Sequence, residues 1–391
     1  LNQGNWNGYH GGDGMDNVID PNNDNLVYGF TQFGGTLNIS SDSGQSIGVV
    51  RPPRDGQGNL LNGNWITPLA IGGDGSVYAG FDGVYKLMGN SWEKVSTNDF
   101  GGTDQGDVLE DLIVDPTNPE VLYAAEDTFV YRSDDGGETF RAFFNADFTI
   151  SDIAVDTDDG SAIYVITSLR VGIRQSRQLS DTQRKVWKVP VSASGDAGRE
   201  IDYTFDLPED QALFAIVHQG RHTDNPVYVG TSLGVYRIDD AKIAAAEAAE
   251  TDPQWEPYFQ GLPSTAVSDL EITLDDEIIT ASTYGRGVWQ SPIPVQIPDD
   301  DIRLSSLSPA NGACNVLAGT DLVATFNEDI ALTSNGTITL KNRDDGSGAS
   351  DISIDLSNLP DPAADVTASG RELTVDLTAT LGIDTRNNPH K

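Results

Sequence analysis

Asp16, Asp111, Asp152 and Asp269 share one register. The first three stand four residues before a second aspartate, as Asp16-x-x-x-Asp20, Asp111-x-x-x-Asp115 and Asp152-x-x-x-Asp156, and Asp269 heads a fourth apolar run at the same offset. Carboxylates repeated in this way, if gathered at one mouth, could serve as acid, base or cation ligand, or could hydrogen-bond sugar hydroxyls. The plainer reading is that each accepts backbone N–H groups of a neighbouring loop. Glycosidic hydrolysis requires two carboxylates across a cleft, one with a raised pKa. With 60 Asp and Glu residues in the chain, spacing alone does not select such a pair.

Other residue types narrow the chemistry. The chain has four histidines, and His218-x-x-x-His222 would suit zinc only on a helix, which the intervening Gln219-Gly220-Arg221 disfavours. A single cysteine, Cys314, excludes an internal disulfide and cysteine-cluster metal sites. Calcium, which takes oxygen ligands, is the ion that the acid-rich turns would suit. Candidate ligands are Asp20 and Asp24 in Asp20-x-x-Asn23-Asp24-Asn25, Asp156 and Asp158 in Asp156-x-Asp158-Asp159-Gly160, and the run Asp299-Asp300-Asp301. None of these is a complete EF-hand loop. Trp6, Tyr9 and Trp65 lie in Gly/Asn-rich stretches, where rings can stack on sugars or support a loop, whereas Trp92, Trp187, Trp255 and Trp289 fall in strand-like runs and read as core. A basic cluster from Arg170 to Lys188 reads as a solvated hairpin, with docking of an acidic neighbour as the alternative.

The elements that position these residues repeat. A short apolar strand, an Asp/Asn/Gly turn and a second strand ending in Val-Tyr or its equivalent recur six times. The second strands end at Val27-Tyr28, Val77-Tyr78, Leu122-Tyr123, Ile163-Tyr164, Val227-Tyr228 and Ile278-Ile279. Third strands such as Gly83-Val84-Tyr85-Lys86 and Gly234-Val235-Tyr236-Arg237 follow, and several units close on an aromatic fourth strand at Trp92, Phe140 or Trp255. Four short antiparallel strands per unit predict an all-β chain whose first part, residues 1–293, is a β-propeller with six visible blades.

One turn is more specific than the rest. Ser133-Asp134-Asp135-Gly136-Gly137-Glu138-Thr139-Phe140 fits the Asp-box pattern Ser-x-Asp-x-Gly-x-Thr-aromatic through Ser133, Asp135, Gly137, Thr139 and Phe140. A degenerate copy runs from Ser40 through Asp42 and Gly44 to Ile47. The carboxylate can accept turn N–H groups while glycine permits positive φ, so the motif is architectural and not catalytic. On these residues, with Asn64-Trp65-Ile66-Thr67-Pro68 and Thr283-Tyr284-Gly285-Arg286-Gly287-Val288-Trp289, residues 1 to about 293 resemble the Asp-box (BNR-repeat) propellers of sialidases, xyloglucanases and sortilin. The likeness is greatest to secreted bacterial glycosyl-hydrolase-like repeat proteins. The resemblance implies that further blades often precede the Gly11-Gly12-Asp13-Gly14 segment. It also implies an acidic catalytic residue near Thr31-Gln32-Phe33-Gly34-Gly35, where this chain has Gln32. The arginine triad that a sialidase needs matches no motif here.

Residues 294–301 read as a Pro/Asp-rich linker, and residues 302–391 resemble a bacterial Ig-like domain of the SbsA type, expected as a truncated β-sandwich spacer. Asp239-Asp240 followed by an alanine-rich run to Glu250 predicts one short surface helix. A formal net charge of −37 disfavours nucleic acid and anionic bilayers, and no apolar run is long enough for a membrane helix. The expectation is therefore an extracellular or cell-surface module of a larger polypeptide or assembly. Its propeller face would bind a glycan or surface protein without catalysis. The alternatives are a polysaccharide-degrading hydrolase or lyase using Asp16, Asp111, Asp152 or Asp269, and a structural unit of a surface layer or filament.

Overall fold

The structure is a computed structural model describing residues 13–98, 100, 109–167, 184–273, 276–295, 304–308, 321–326, 330, 337–340, 352–355 and 366–375. The chain divides into two compact units, Leu1–Ile297 and Pro298–Lys391. The first is a β-propeller, with six antiparallel blades among the described residues. Each blade runs outward in chain order. Blade 1 comprises Gly14–Asp20, Asn23–Thr31, Leu37–Ser40 and Gly48–Val50, and blade 2 comprises Leu69–Ile71, Val77–Gly80, Val84–Met88 and Ser91–Lys94. Blade 3 comprises Asp111–Val114, Leu122–Glu126, Phe129–Ser133 and Arg141–Asn145; blade 4 comprises Ile150–Val155, Ala162–Thr167, Lys185–Pro190 and Ile201–Asp202. Blade 5 comprises Leu213–His218, Val227–Thr231, Gly234–Ile238 and Glu256–Pro257; blade 6 shows three strands among the described residues, Val267–Ile272, Ile278–Thr283 and Gly287–Pro292.

Alternation along each strand makes two buried faces, one toward each neighbouring blade. Between blades 4 and 5, for example, Ala154, Tyr164 and Ile166 meet Leu213, Ile216, Val227 and Val229. Five such cores join successive blades from 1 to 6. The outermost faces of the series differ. Ile19 is 51% exposed, although its counterparts Val114 and Val155 are buried. Blade 6 places Glu271, Thr280 and Ser282 where blade 4 places Ala154, Tyr164 and Ile166.

The recurring second-strand tyrosine has a partner that the sequence pattern did not expose. It lies directly across from a basic residue on the third strand in four blades: Tyr78–Lys86, Tyr123–Arg132, Tyr164–Lys188 and Tyr228–Arg237. Each cation sits 5.1–5.9 Å from the ring centroid. Such cross-strand cation–π pairs let a charged side chain cover an otherwise apolar ring. Arg132 and Arg237 are themselves buried and bonded to Asp134 and Asp239.

The predicted helix spans Asp240–Ala248, and the Asp239 carboxylate caps it by accepting from Lys242 N at 2.8 Å. Trp255 is buried, Trp92 and Trp187 are partly buried against the cores, and Trp289 lies on the more open blade 6. In the second unit, Leu304–Ser308, Leu322–Phe326, Glu372–Val375 and Val366–Ser369 form one sheet in that order, and Thr337–Leu340 pairs with Ile352–Asp355. Val366 and Val375, cross-strand partners, are its buried pair among the described residues. Cys314 and Asp299–Asp301 lie outside the described residues.

Candidate ligand-binding face of the propeller

Antiparallel topology places the connection into every inner strand at the same end of a blade as the turn between second and third strands. The leading aspartates stand at that end. Each is two residues before the residue opposite the second-strand tyrosine or its equivalent, and the same offset gives Pro68 in blade 2 and Ala215 in blade 5. In blades 1, 4 and 6 the pairing shifts register at the aspartate. Such a β-bulge re-aims one side chain out of the pleat.

Three of the four aspartates reach the next blade. Asp16 Oδ2 accepts from Leu69 N at 2.8 Å, Asp111 Oδ2 from Ile153 N at 2.9 Å and Asp152 Oδ2 from Ile216 N at 2.7 Å. The three acceptor contacts fall at one equivalent position of the following inner strand, so the register seen in the sequence is the register of an inter-blade bond. Asp111 Oδ1 also accepts from Leu112 N, and Asp152 Oδ1 from Ile153 N. Burial raises the pKa values of both Asp111 and Asp152, and repulsion from Asp111 pushes Asp152 further.

Asp269 differs: it accepts from the backbone N–H of its own neighbour, Leu270. Two residues along the same strand stands Glu271, which the sequence reading missed. Both reach solvent, yet protein on most sides raises both pKa values, Glu271 to about 8 with Asp269, Asp16 and Asp111 adding repulsion. Burial likewise lifts Asp16 to about 7. The inner strands of successive blades pack side by side, and Asp16, Asp111, Asp152, Asp269 and Glu271 at their leading ends are close enough to raise one another's pKa values. The available sequence signal for Glu271 was an acid in a strand position that Val18, Ala70, Ile113, Ala154 and Val217 fill in the other blades.

Beside this mouth is an exposed aromatic pair. Trp65, 47% exposed, and Phe33, 44% exposed, meet edge to face with ring centroids 4.9 Å apart. The backbone locks both: Phe33 N donates to Trp65 O at 3.2 Å and Gly63 N donates to Phe33 O at 3.0 Å. Phe33 has φ of 61°, a left-handed conformation that a bulky residue adopts only when its surroundings impose it. Gly34 follows at φ 63°, and a Cβ there would meet the Phe81 ring at 2.8 Å. The Gln32 side chain accepts from Asp13 N at 3.0 Å, so at the position where the family resemblance implies an acid this chain has a neutral loop brace.

The other candidates hold turns. Asp20 Oδ1 accepts from Asn22 N, and Asp156 Oδ1 from Asp158 N, as Asx turns, while Asp158 Oδ1 accepts from Arg221 N of blade 5. Asp24 is exposed. Among the described residues no three His, Cys, Asp or Glu side chains converge for a metal. His218 ends a strand and His222 lies beyond it, so the pair does not share a helix face. Asp135 accepts from Ser133 Oγ, Thr139 N and Thr139 Oγ1, and Asp42 accepts from Ser40 Oγ, Ser46 N and Ser46 Oγ. Ser133 and Ser40 in turn accept from Gly137 N and Gly44 N. These two turns join third and fourth strands, at the ends of the strands remote from the aspartate mouth. Trp6, Tyr9 and residues 170–183 of the basic cluster lie outside the described residues; Arg184 is buried and donates to Leu207 O, and Lys185 pairs with Asp202.

Comparison with known proteins agrees with this architecture. Residues 299–386 match the Big_5 family, described as a bacterial Ig-like domain. The chain is similar to the GH74 enzyme of Niastella koreensis, with a TM-score of 0.51, 15% identity, and coverage of 80% of this chain and 50% of that one. It is similar to the GH74 xyloglucanase of Xanthomonas campestris, with a TM-score of 0.52, 15% identity, and coverage of 79% and 50%. The chain thus spans about half the length of these solved structures. No curated protein matches it. At such identity the likeness is one of fold.

Proposed function

We propose that the propeller is a non-catalytic binding module whose loop face holds a glycan, within a larger extracellular or cell-surface bacterial protein. The observation that carries this reading is the Phe33–Trp65 pair: two large rings held in the open by backbone bonds, one of them in a strained conformation. A ring so fixed loses little entropy on contact, and its face suits the C–H face of a pyranose. The leading aspartates support binding over hydrolysis, because Asp16, Asp111 and Asp152 are engaged with backbone N–H groups of adjoining blades. The acidic field around them favours an uncharged or cationic glycan over an anionic one. The Asp-box turns and the Ig-like unit serve as architecture and spacer, and no helix among the described residues is long and apolar enough to cross a membrane.

The hydrolase reading has one specific observation behind it. Asp269 and Glu271 reach solvent at the mouth with raised pKa values, the property of a general acid. A glycan array combined with an end-group assay separates the two readings. Binding without new reducing ends, weakened in Trp65→Ala, supports the binding module; release abolished by Glu271→Gln establishes an enzyme.

A further inference from the structure

We infer that His218 is an acid-operated latch between blades 4 and 5. It ends the inner strand of blade 5, opposite Val227, in the place where Val114 and Val155 end the inner strands of blades 3 and 4. A titratable ring therefore replaces an aliphatic side chain inside an inter-blade core. Its side chain is fully buried and stacks on Tyr164 of blade 4, with centroids 5.5 Å apart and planes 12° from parallel.

The hydrogen bonds fix the protonation state. Thr157 N, in the first turn of blade 4, donates to His218 Nδ1 at 3.1 Å. A backbone N–H only donates, so Nδ1 is unprotonated and the neutral ring carries its hydrogen on Nε2. Nε2 is buried without a partner among the described residues, as is Tyr164 OH. The ring is thus held as a neutral acceptor facing Thr157 N and Thr157 Oγ1 of blade 4, each at 3.1 Å.

Protonation reverses that bond. A hydrogen on Nδ1 would face the Thr157 N–H; the acceptors it could turn to are Thr157 Oγ1 at 3.1 Å and, as the nearest carboxylate, Asp156 Oδ1 at 4.0 Å. That oxygen already accepts from Asp158 N at 3.0 Å and so closes the turn. Charging His218 therefore breaks the Thr157 N bond, makes the Thr157 hydroxyl an acceptor in its place and pulls Asp156 toward the ring, so that the turn from Asp156 to Gly160 must rearrange. The same turn carries the second blade 4–5 bond, Arg221 N to Asp158 Oδ1 at 2.7 Å, and its Gly160 packs on Asp115 of blade 3. Three blades are coupled to one proton.

The charges around the ring set the direction. Asp156 and Asp158 on the turn and Asp240 at the helix start favour the imidazolium, while burial, the largest influence, and Lys188 on the third strand of blade 4 oppose it. His218 consequently stays neutral below the usual imidazole range. Its contribution to stability is full above the unfolded value of about 6.5 and is lost as pH falls below it toward the depressed folded value.

Hydrogen exchange on the full chain tests the latch, with rates corrected for intrinsic pH dependence and peptides over 156–162 and 213–222 compared with 37–50 in blade 1. Between pH 7.5 and 5.0 the wild type is expected to lose at least tenfold protection at 156–162 while 37–50 stays constant. His218→Asn offers a side-chain oxygen near Nδ1 that does not titrate, and should remain protected at both pH values. His218→Phe should be unprotected at both; if it fails to fold, the asparagine variant and an NMR titration of the His218 ring decide. Equal acid loss in wild type and His218→Asn, or no acid loss in the wild type, overturns the inference.

Discussion

Replacing Asp16 with asparagine separates the two consequences of burying its carboxyl group. The Leu69 N–H at 2.8 Å needs an acceptor, which an amide oxygen also provides. The charge is a different matter. Burial lifts the Asp16 pKa from 3.8 to about 7, so the folded state holds a proton that the unfolded state releases. Stability attributable to this residue is therefore greatest at low pH and falls as pH rises from about 4 to about 7. A shift of about three units corresponds to at most about 4 kcal/mol, and partial contact with solvent reduces the expectation to about 2 kcal/mol. All six tryptophans lie within residues 1–297, so denaturant unfolding followed by tryptophan fluorescence reports the propeller. At pH 8.5 Asp16→Asn should be about 2 kcal/mol more stable than the wild type, and at pH 4 nearly equal to it. Asp16→Ala should lose about 1–3 kcal/mol at pH 4 from the unsatisfied N–H. A pH slope in Asp16→Asn identical to that of the wild type would refute the reasoning.

Other perturbations probe separate parts of the structure. Glu271→Gln should also stabilise the propeller at pH 8.5 and flatten its stability between pH 5 and 8, since the Glu271 pKa is raised to about 8; unfolding at three pH values measures this. Asp135→Ala removes the acceptor of three hydrogen bonds in the Ser133–Phe140 turn, should cost about 1–2 kcal/mol, and should leave glycan binding unchanged in a titration. Arg132→Ala leaves the buried Tyr123 without its guanidinium partner while the half-exposed Asp134 keeps Arg141, and should cost about 1–2 kcal/mol, whereas Lys86→Ala, at a more open pair, should cost less than about 1 kcal/mol, both read from thermal melts.

Much of this architecture is legible in the residues. The Val-Tyr repeat marks the second strand of five blades because a residue pattern of period two must place one face toward each neighbouring blade, although the strands run on past the dipeptide expected to end them and blade 6 has Thr280 in place of the tyrosine. The Asx turns and the Ser133–Phe140 and Ser40–Ile47 turns are equally readable, since their bonds are local. What the pattern could not show are relations between blades. The spacing of Asp16, Asp111 and Asp152 suggested a mouth, but only the fold shows that each oxygen meets the same backbone position one blade further on. Glu271 is not marked by the four-residue aspartate spacing; its only signature is that it breaks the apolar alternation behind Asp269. Phe33 was read only as part of the segment around Gln32; its contact with Trp65 joins residues on two different loops, and its left-handed backbone has no signature in a single sequence. His218 was weighed against His222 as a metal pair, while its partner, Thr157, lies 61 residues away.

Calorimetric titration of soluble neutral polysaccharides into the full chain, with end-group analysis of the same samples, tests the central claim most directly. The binding account predicts measurable affinity for at least one neutral polysaccharide, at least tenfold weaker in Trp65→Ala and in Phe33→Ala, unchanged in Met88→Ala at the other end of the strands, and no new reducing ends. Affinity that is indifferent to both ring substitutions, or reducing ends that accumulate in the wild type and vanish in Glu271→Gln, would contradict it.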